Sequence, residues 1–263
     1  MPFPAVPRVI YSRNPLDRVV CQLRFPPILR IESESPTSFQ EAIRSEFPMF
    51  AEKIGLRVDV QLSPKQRPTL GPIPSLSMSS ANKIYEFTSE DGLWKVNLTR
   101  TYLSLITTKY IRWEDFKHHL ECPYAALIQT YSPPFFTRIG LRYINIFRRS
   151  QLGLDGTNWS ELLKPFVLGL LSSTVSAHVK NFESSYDISL EDNESNVRIV
   201  TSFVRHIETN EQGLRIDCDF STSKRKDLAN AIPQLDFLNY RSSRLIQWVI
   251  EERLHTAMEP QVI

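Results

Sequence analysis

The sequence predicts an α+β fold of two lobes, residues 1–150 and 151–263, each an antiparallel sheet with helices packed mainly on one face, the second closed by a long C-terminal helix. Three patterns lead there. Residues 135–149, FFTRIGLRYINIFRR, alternate as a central strand. Phe135, Thr137, Ile139, Leu141, Tyr143, Asn145 and Phe147 share one face, and Phe136, Arg138, Gly140, Arg142, Ile144, Ile146 and Arg148 the other. Shorter alternating runs separated by turn residues lie on both sides of it, and the apolar spacing becomes helical from Trp113 and again from Leu235. Apolar residues on both faces of the central strand imply that both are covered, and arginines on a covered face need partners.

Residues 1–18 hold four prolines and the turn-forming Asn14-Pro15-Leu16-Asp17. A first strand is read at 19–25, with Val19, Cys21, Leu23 and Phe25 on one face and Pro26-Pro27 ending it. Thr37 and Gln40 have capping-box spacing, which predicts a helix over 38–51 burying Phe39, Ile43, Phe47 and Phe50. A strand is expected at 56–62. Residues 63–80 carry Pro64, Pro68, Pro72, Pro74 and five serines without apolar periodicity, the mark of a solvated loop or of a segment that docks a partner or covers a cleft.

Strands at 84–88 and 93–99 flank Asp91-Gly92 as a hairpin, and 102–108 continues the meander. Trp113, Phe116, Leu120, Tyr124, Leu127, Ile128 and Tyr131 have helical spacing; Pro123 should kink or restart that helix, and Pro133-Pro134 stop it. Residues 151–158, with Gly153, Asp155 and Gly156, mark the boundary between lobes. Then follow a helix over 160–179, strands at 185–190, 197–206 and 214–221, and an amphipathic helix over 235–258 with Leu238, Leu245, Ile246, Val249, Ile250 and Leu254 as its buried stripe. GLRYINIF at 140–147 and GLRIDCDF at 213–220 share Gly, Leu, Arg and Phe in phase, an echo that duplication of one α+β unit or chance in a short window would produce.

The chain has 263 residues, 41% apolar and 23% charged, enough for a substantial core. With 31 basic and 29 acidic residues, its net charge of +2 excludes an argument from overall charge for nucleic-acid or membrane affinity. The opening MPFPAVP lacks the basic start and apolar core of a secretion signal, and no apolar run approaches the length of a membrane span, so a cytoplasmic protein without a membrane partner is expected. Cys21, Cys122 and Cys218 have no CxxC spacing and read as reduced core thiols.

With eight glycines and neither GxxxxGK[ST] nor GxGxxG, no phosphate-cradling loop is present, and no cofactor is expected. His118 and His119 diverge by about 100° on a helix, so they read as a solvated face rather than a metal pair. No GxSxG elbow occurs, and Ser185 and Asp187 lie in an ordinary strand. Asp187, Glu208, Asp217 and Asp219, with Lys224, have the residue types of a metal-dependent nuclease, but an antiparallel sheet exposed on one side gives the same alternation, and the solvent face is the preferred reading. Arg24, Arg138, Arg142 and Arg148 would line one sheet face if their strands pair, with Arg149, Lys224, Arg225 and Lys226 extending it as an anion or nucleic-acid groove. Pairing with internal acids such as Asp17, Glu86 or Glu114 is the preferred alternative.

NPLDRVVCQLRF at 14–25, Trp113-Glu114-Asp115-Phe116 and GLRYIN at 140–145 resemble a sporadically distributed family of bacterial proteins of about 260 residues, with similarity along the whole chain. The resemblance implies a bacterial or archaeal source and the patchy occurrence of horizontally moved genes such as defence or toxin-antitoxin loci. It brings no established activity, cofactor or catalytic set. The expectation is therefore a non-enzymatic binding or assembly module, an accessory or immunity-type component of a defence or toxin-antitoxin system, that holds a protein partner and is open to homo-oligomer formation. The alternatives are a nucleic-acid-binding component using the arginine face and a metal-dependent hydrolase using Asp187, Asp217 and Asp219.

Overall fold

A computed structural model describes residues 2–57 and 79–262. In chain order the elements are β1 (Val9–Tyr11), β2 (Leu16–Arg24), α1 (Arg30–Ser33), α2 (Thr37–Ile43), β3 (Met49–Arg57), β4 (Ser79–Thr88), β5 (Trp94–Thr99), β6 (Tyr102–Thr107), α3 (Trp113–Tyr131) and β7 (Arg138–Phe147). They continue with α4 (Pro165–Leu168), β8 (Glu183–Ser189), β9 (Ser195–Arg205), β10 (Gln212–Thr222), α5 (Ala231–Val249), α6 (Glu252–Ala257) and β11 (Pro260–Val262). The class is α+β, with antiparallel strands and a long helix near the C-terminus.

The strands of the two anticipated lobes form one sheet rather than two. Its order is β3-β4-β5-β6-β2-β7-β10-β9-β8, antiparallel throughout, and β1 and β11 make a separate two-stranded ribbon. The join is β7 against β10, in register from Leu214 opposite Phe147 to Thr222 opposite Ile139. Both strands carry a mainly apolar face, so pairing them buries Ile139, Leu141, Phe147, Leu214, Ile216 and Phe220 in one layer. The two echoing segments are these partners: Leu141 faces Phe220, Phe147 faces Leu214, and Ile144 faces Asp217 midway. Because β7 is entered from α3 but β10 from its hairpin with β9, the likeness is confined to the strand pair.

Helices α2, α3 and α5 cover one face. Phe39 of α2 packs on Phe87 with ring centroids 5.4 Å apart, Trp94 lies between Phe116 and His119 of α3, and Tyr143 donates a hydrogen bond to Asn239 Oδ1 of α5 at 2.8 Å. Among the described residues no helix covers the opposite face, so the expectation that both faces of β7 are covered does not hold there, and Arg142 is exposed.

Three helices differ from their predicted extent. The one predicted over 38–51 is only α2: Pro48 has no N–H to continue it, the chain turns into β3, and Phe50 is exposed. Pro36, which makes no side-chain cap, occupies the N-cap position, so the expected capping box does not form. In place of the helix over 160–179 are short turns at Trp159–Glu161, Pro165–Leu168, Gly169–Ser172 and Ser176–His178. Pro165 starts one of them, and Gly169 at φ +50° ends it in a conformation that side chains disfavour. The helix over 235–258 begins earlier and breaks at Ile250. There Lys164 N–H takes the Val249 carbonyl at 2.9 Å and Glu251 N–H takes that of Leu162 at 2.8 Å, so a β-bridge replaces the helical bonds before α6. By contrast α3 runs through Pro123 unbroken. The expected strand at 56–62 and loop at 63–80 fall largely on residues 58–78, outside the described residues.

All three cysteines are free. Cys21 and Cys218 are buried; Cys122 is partly exposed and so not a core thiol. Burial pushes the Cys21 thiol up to about 12 and the Cys122 thiol up to about 11, and raises that of Cys218. Since the thiolate is the nucleophile, a colorimetric disulfide reagent at pH 8 is expected to leave Cys21 and Cys218 unmodified in the folded protein and to titrate both in urea.

Candidate functional site

On the uncovered face, β7 and β10 set arginines beside acids. Arg138 Nη2 donates to both carboxylate oxygens of Asp219 at 2.8 Å, and Nη1 to Gln22 Oε1 at 3.3 Å. Its guanidinium lies over Gly140, where a Cβ would stand 2.2 Å from Nη1, so glycine makes the approach possible. Arg142 grips Asp217 with a fork, Nε to Oδ1 at 2.7 Å and Nη2 to Oδ2 at 2.5 Å. The Asp217 side chain is 7% exposed. In the sheet register Arg142 stands opposite Asp219, Asp219 opposite Arg198, and Arg198 opposite Asp187, giving one row of alternating charge across four strands.

For Arg138 and Arg142 the preferred internal pairing occurs, with acids other than those expected. Glu86 takes Lys53 and Lys95, and Glu114 takes Arg8, while Asp217 and Asp219 satisfy the β7 arginines. The eight candidate cations do not assemble into one groove. Arg24 stands opposite Arg138 and donates to Gln22 Oε1 at 2.8 Å. Arg148 and Arg149 follow β7 at the end where β10 begins; Lys224, Arg225 and Lys226 follow β10 at its far end, roughly 30 Å away by strand rise. Arg149 donates to the Thr157 carbonyl and covers Trp159, Arg225 lies over Phe135, and Lys226 pairs with Glu194. Arg148 lines a depression with Asp17, Arg205 and His206, and Lys224 is exposed.

Of the acids, Asp217 and Asp219 are engaged by guanidinium groups and Asp187 is separated from Asp219 by Arg198, an arrangement of ion pairs rather than of metal ligands. Among the described residues no three His, Cys, Asp or Glu side chains converge as a metal site. His118 pairs with Glu121 at the surface, but His119 is not a solvated residue: it stacks on Trp94, centroids 3.9 Å apart.

A second feature lies on the helix side. A cleft of about 280 Å³ opens between α5, the 110–114 turn into α3, and β1. Its lining includes Tyr110, Trp113, Tyr143, Asn145, Asn239 and Ser242. Tyr143 and Asn145 are polar residues on the buried face of the central strand, the one sequence signal that could have marked it. The N-terminal ribbon spans the mouth. Arg8 forks onto Glu114 at 2.8 and 2.6 Å, Tyr11 Oη lies 2.9 Å from His255 Nδ1, and Gln247 donates to the Pro7 carbonyl at 3.1 Å.

The Arg8 hydrogen bonds pull the Glu114 carboxyl down to about 2 from an ordinary 4.5. A depressed folded value means that this contact contributes fully above about pH 4.5 and is lost as pH falls through about 2. The amide signals of β1, followed by NMR, are expected to titrate at that low midpoint, and Glu114→Gln to abolish the transition.

Among the described residues no helix is long and apolar enough to cross a membrane. No protein-family model matches the chain, and no curated protein matches it.

Proposed function

We propose that the protein is a non-enzymatic binding module that holds a protein partner against the uncovered face of its sheet. The observation that supports this most is the row of alternating charge Arg142, Asp219, Arg198 and Asp187, in which Arg142 holds Asp217 and Asp219 holds Arg138, flanked by half-buried Val20, Ile144, Ile146 and Val200. A polyanion draws affinity from cations that release counterions, and on this face Arg138 and Arg142 already hold carboxylates. Alternating charge with apolar residues between is instead complementary to a protein surface of reversed alternation. This argues against the nucleic-acid component. The acids engaged by arginines argue against the hydrolase.

The resemblance described above supports placing the partner in a bacterial defence or toxin-antitoxin locus, with this chain as an accessory or immunity-type component. A cytoplasmic location belongs to the same proposal and is supported by the three free thiols. Arg198→Glu breaks the row at an exposed position. Affinity capture from the native host should retain a partner with the wild-type chain and lose it with this variant, while circular dichroism stays unchanged. Recovered proteins matching those from a blank column would contradict the reading.

A further inference from the structure

The cleft beneath the N-terminal ribbon has the makings of a small-molecule site, separate from the sheet face and independent of the partner proposed there. Its charges are compensated at the rim. Glu114 holds Arg8, Asp236 accepts from Trp113 Nε1 at 2.6 Å and from Lys117, Arg112 pairs with Asp115, and the Arg244 guanidinium lies over Tyr240. What remains toward the interior is neutral: phenol, amide and hydroxyl groups beside aromatic rings. Such a lining favours an uncharged ligand, because a charge taken into it would lose hydration without a counter-ion.

The hydrogen bonds of two amides sharpen the class. Asn145 is 4% exposed, and its described side-chain bond is a long one from Nδ2 to the Ile216 carbonyl, at 3.4 Å, which leaves Oδ1 as an acceptor. Asn239 has its Oδ1 taken by the Tyr143 hydroxyl, which leaves Nδ2 as a donor pair. Tyr143 and Asn145 are two residues apart on one face of β7, roughly 7 Å along the strand. Because Asn239 bonds to Tyr143, the free acceptor and the free donor belong to neighbouring groups of one wall of the cleft. Tyr110 stands edge-on to Tyr143, centroids 5.7 Å apart, as an aromatic wall. We infer that this cleft binds a neutral planar heterocycle bearing a lactam edge, an N–H beside a C=O, of the size of a free nucleobase. The ring N–H donates to Asn145 Oδ1 and the ring carbonyl accepts from Asn239 Nδ2.

The test is calorimetric titration of the full chain with uracil and with hypoxanthine, and with toluene as a ring of similar size lacking the lactam. Uracil or hypoxanthine is expected to bind, and toluene at least tenfold more weakly. Asn145→Leu should weaken the heterocycle by about tenfold, the scale of one buried hydrogen bond. Because Asn145 is buried and that variant can fail to fold, Ser243→Trp provides a second arm. Ser243 lines the cleft from a half-buried position on α5, where a bulky side chain fills the space without entering the sheet, so binding should disappear while circular dichroism is unchanged. Absence of binding by both heterocycles up to their solubility, persistence of binding in Ser243→Trp, or toluene binding as tightly as uracil would each overturn the inference.

Discussion

Phe220→Ala is expected to lower the stability of the protein by about 3–5 kcal/mol, the scale of removing a fully enclosed aromatic side chain and leaving a cavity. Phe220 is 0% exposed and sits between Leu141 of β7 and Val197 of β9, at the join between the N-terminal and C-terminal strands. A loss of that size is a large part of the 5–15 kcal/mol typical of a folded domain. Because β7 and β10 belong to one sheet, the loss should appear in a single cooperative transition rather than in the C-terminal half alone. Urea denaturation followed in parallel by tryptophan fluorescence and far-ultraviolet circular dichroism measures both quantities. Coincident curves displaced to lower urea are the expected result; a variant that loses less than about 1 kcal/mol, or that splits the transition in two, would show that the join does not couple the halves.

The second large effect is electrostatic. Arg142→Ala removes both hydrogen bonds to Asp217 and leaves a 7% exposed carboxylate without its counter-charge. Breaking a buried pair from one side costs about 3–5 kcal/mol. The Arg142 side chain is itself 48% exposed, so water screens part of the interaction, and about 2–3 kcal/mol is the expected loss. The pair is not a source of net stability on that scale, since desolvation offsets most of the attraction. Arg142→Leu combined with Asp217→Val should accordingly come within about 1 kcal/mol of the wild type, because both charges leave together and both residues suit a strand. A single-variant loss under about 0.5 kcal/mol would reclassify the contact as a surface ion pair.

The strands were legible because an antiparallel sheet packed on one face writes its burial into alternate residues: the patterns at 135–149, 197–206 and 214–221 lie within two or three residues of the ends of β7, β9 and β10 or overlap them closely. Helix lengths were not, because apolar spacing continues past residues that end helices. Pro48 and Pro165 interrupt regular spacing, and Ile250 was drawn into a bridge with Leu163, a partner that no local window contains. The same limit hid the single sheet, which depends on β7 choosing β10 across more than sixty intervening residues. For the site, arginines on one face of β7 were visible, but their acids lie some 75 to 81 positions later and only the register identifies them. The cleft had less signal still, since its walls come from five separate stretches and only Tyr143 and Asn145 stand out locally as polar residues on a buried face.

The function proposed for the sheet face depends on Asp217 and Asp219 occupying the β7 arginines. NMR observation of the Arg138 and Arg142 Nε–Hε signals, with double-stranded DNA titrated in at low salt, tests this most directly. Occupied guanidinium groups should give slowly exchanging, well-dispersed signals that do not move as DNA is added. Signals that are exchange-broadened at the start and shift on the first additions of DNA would contradict it.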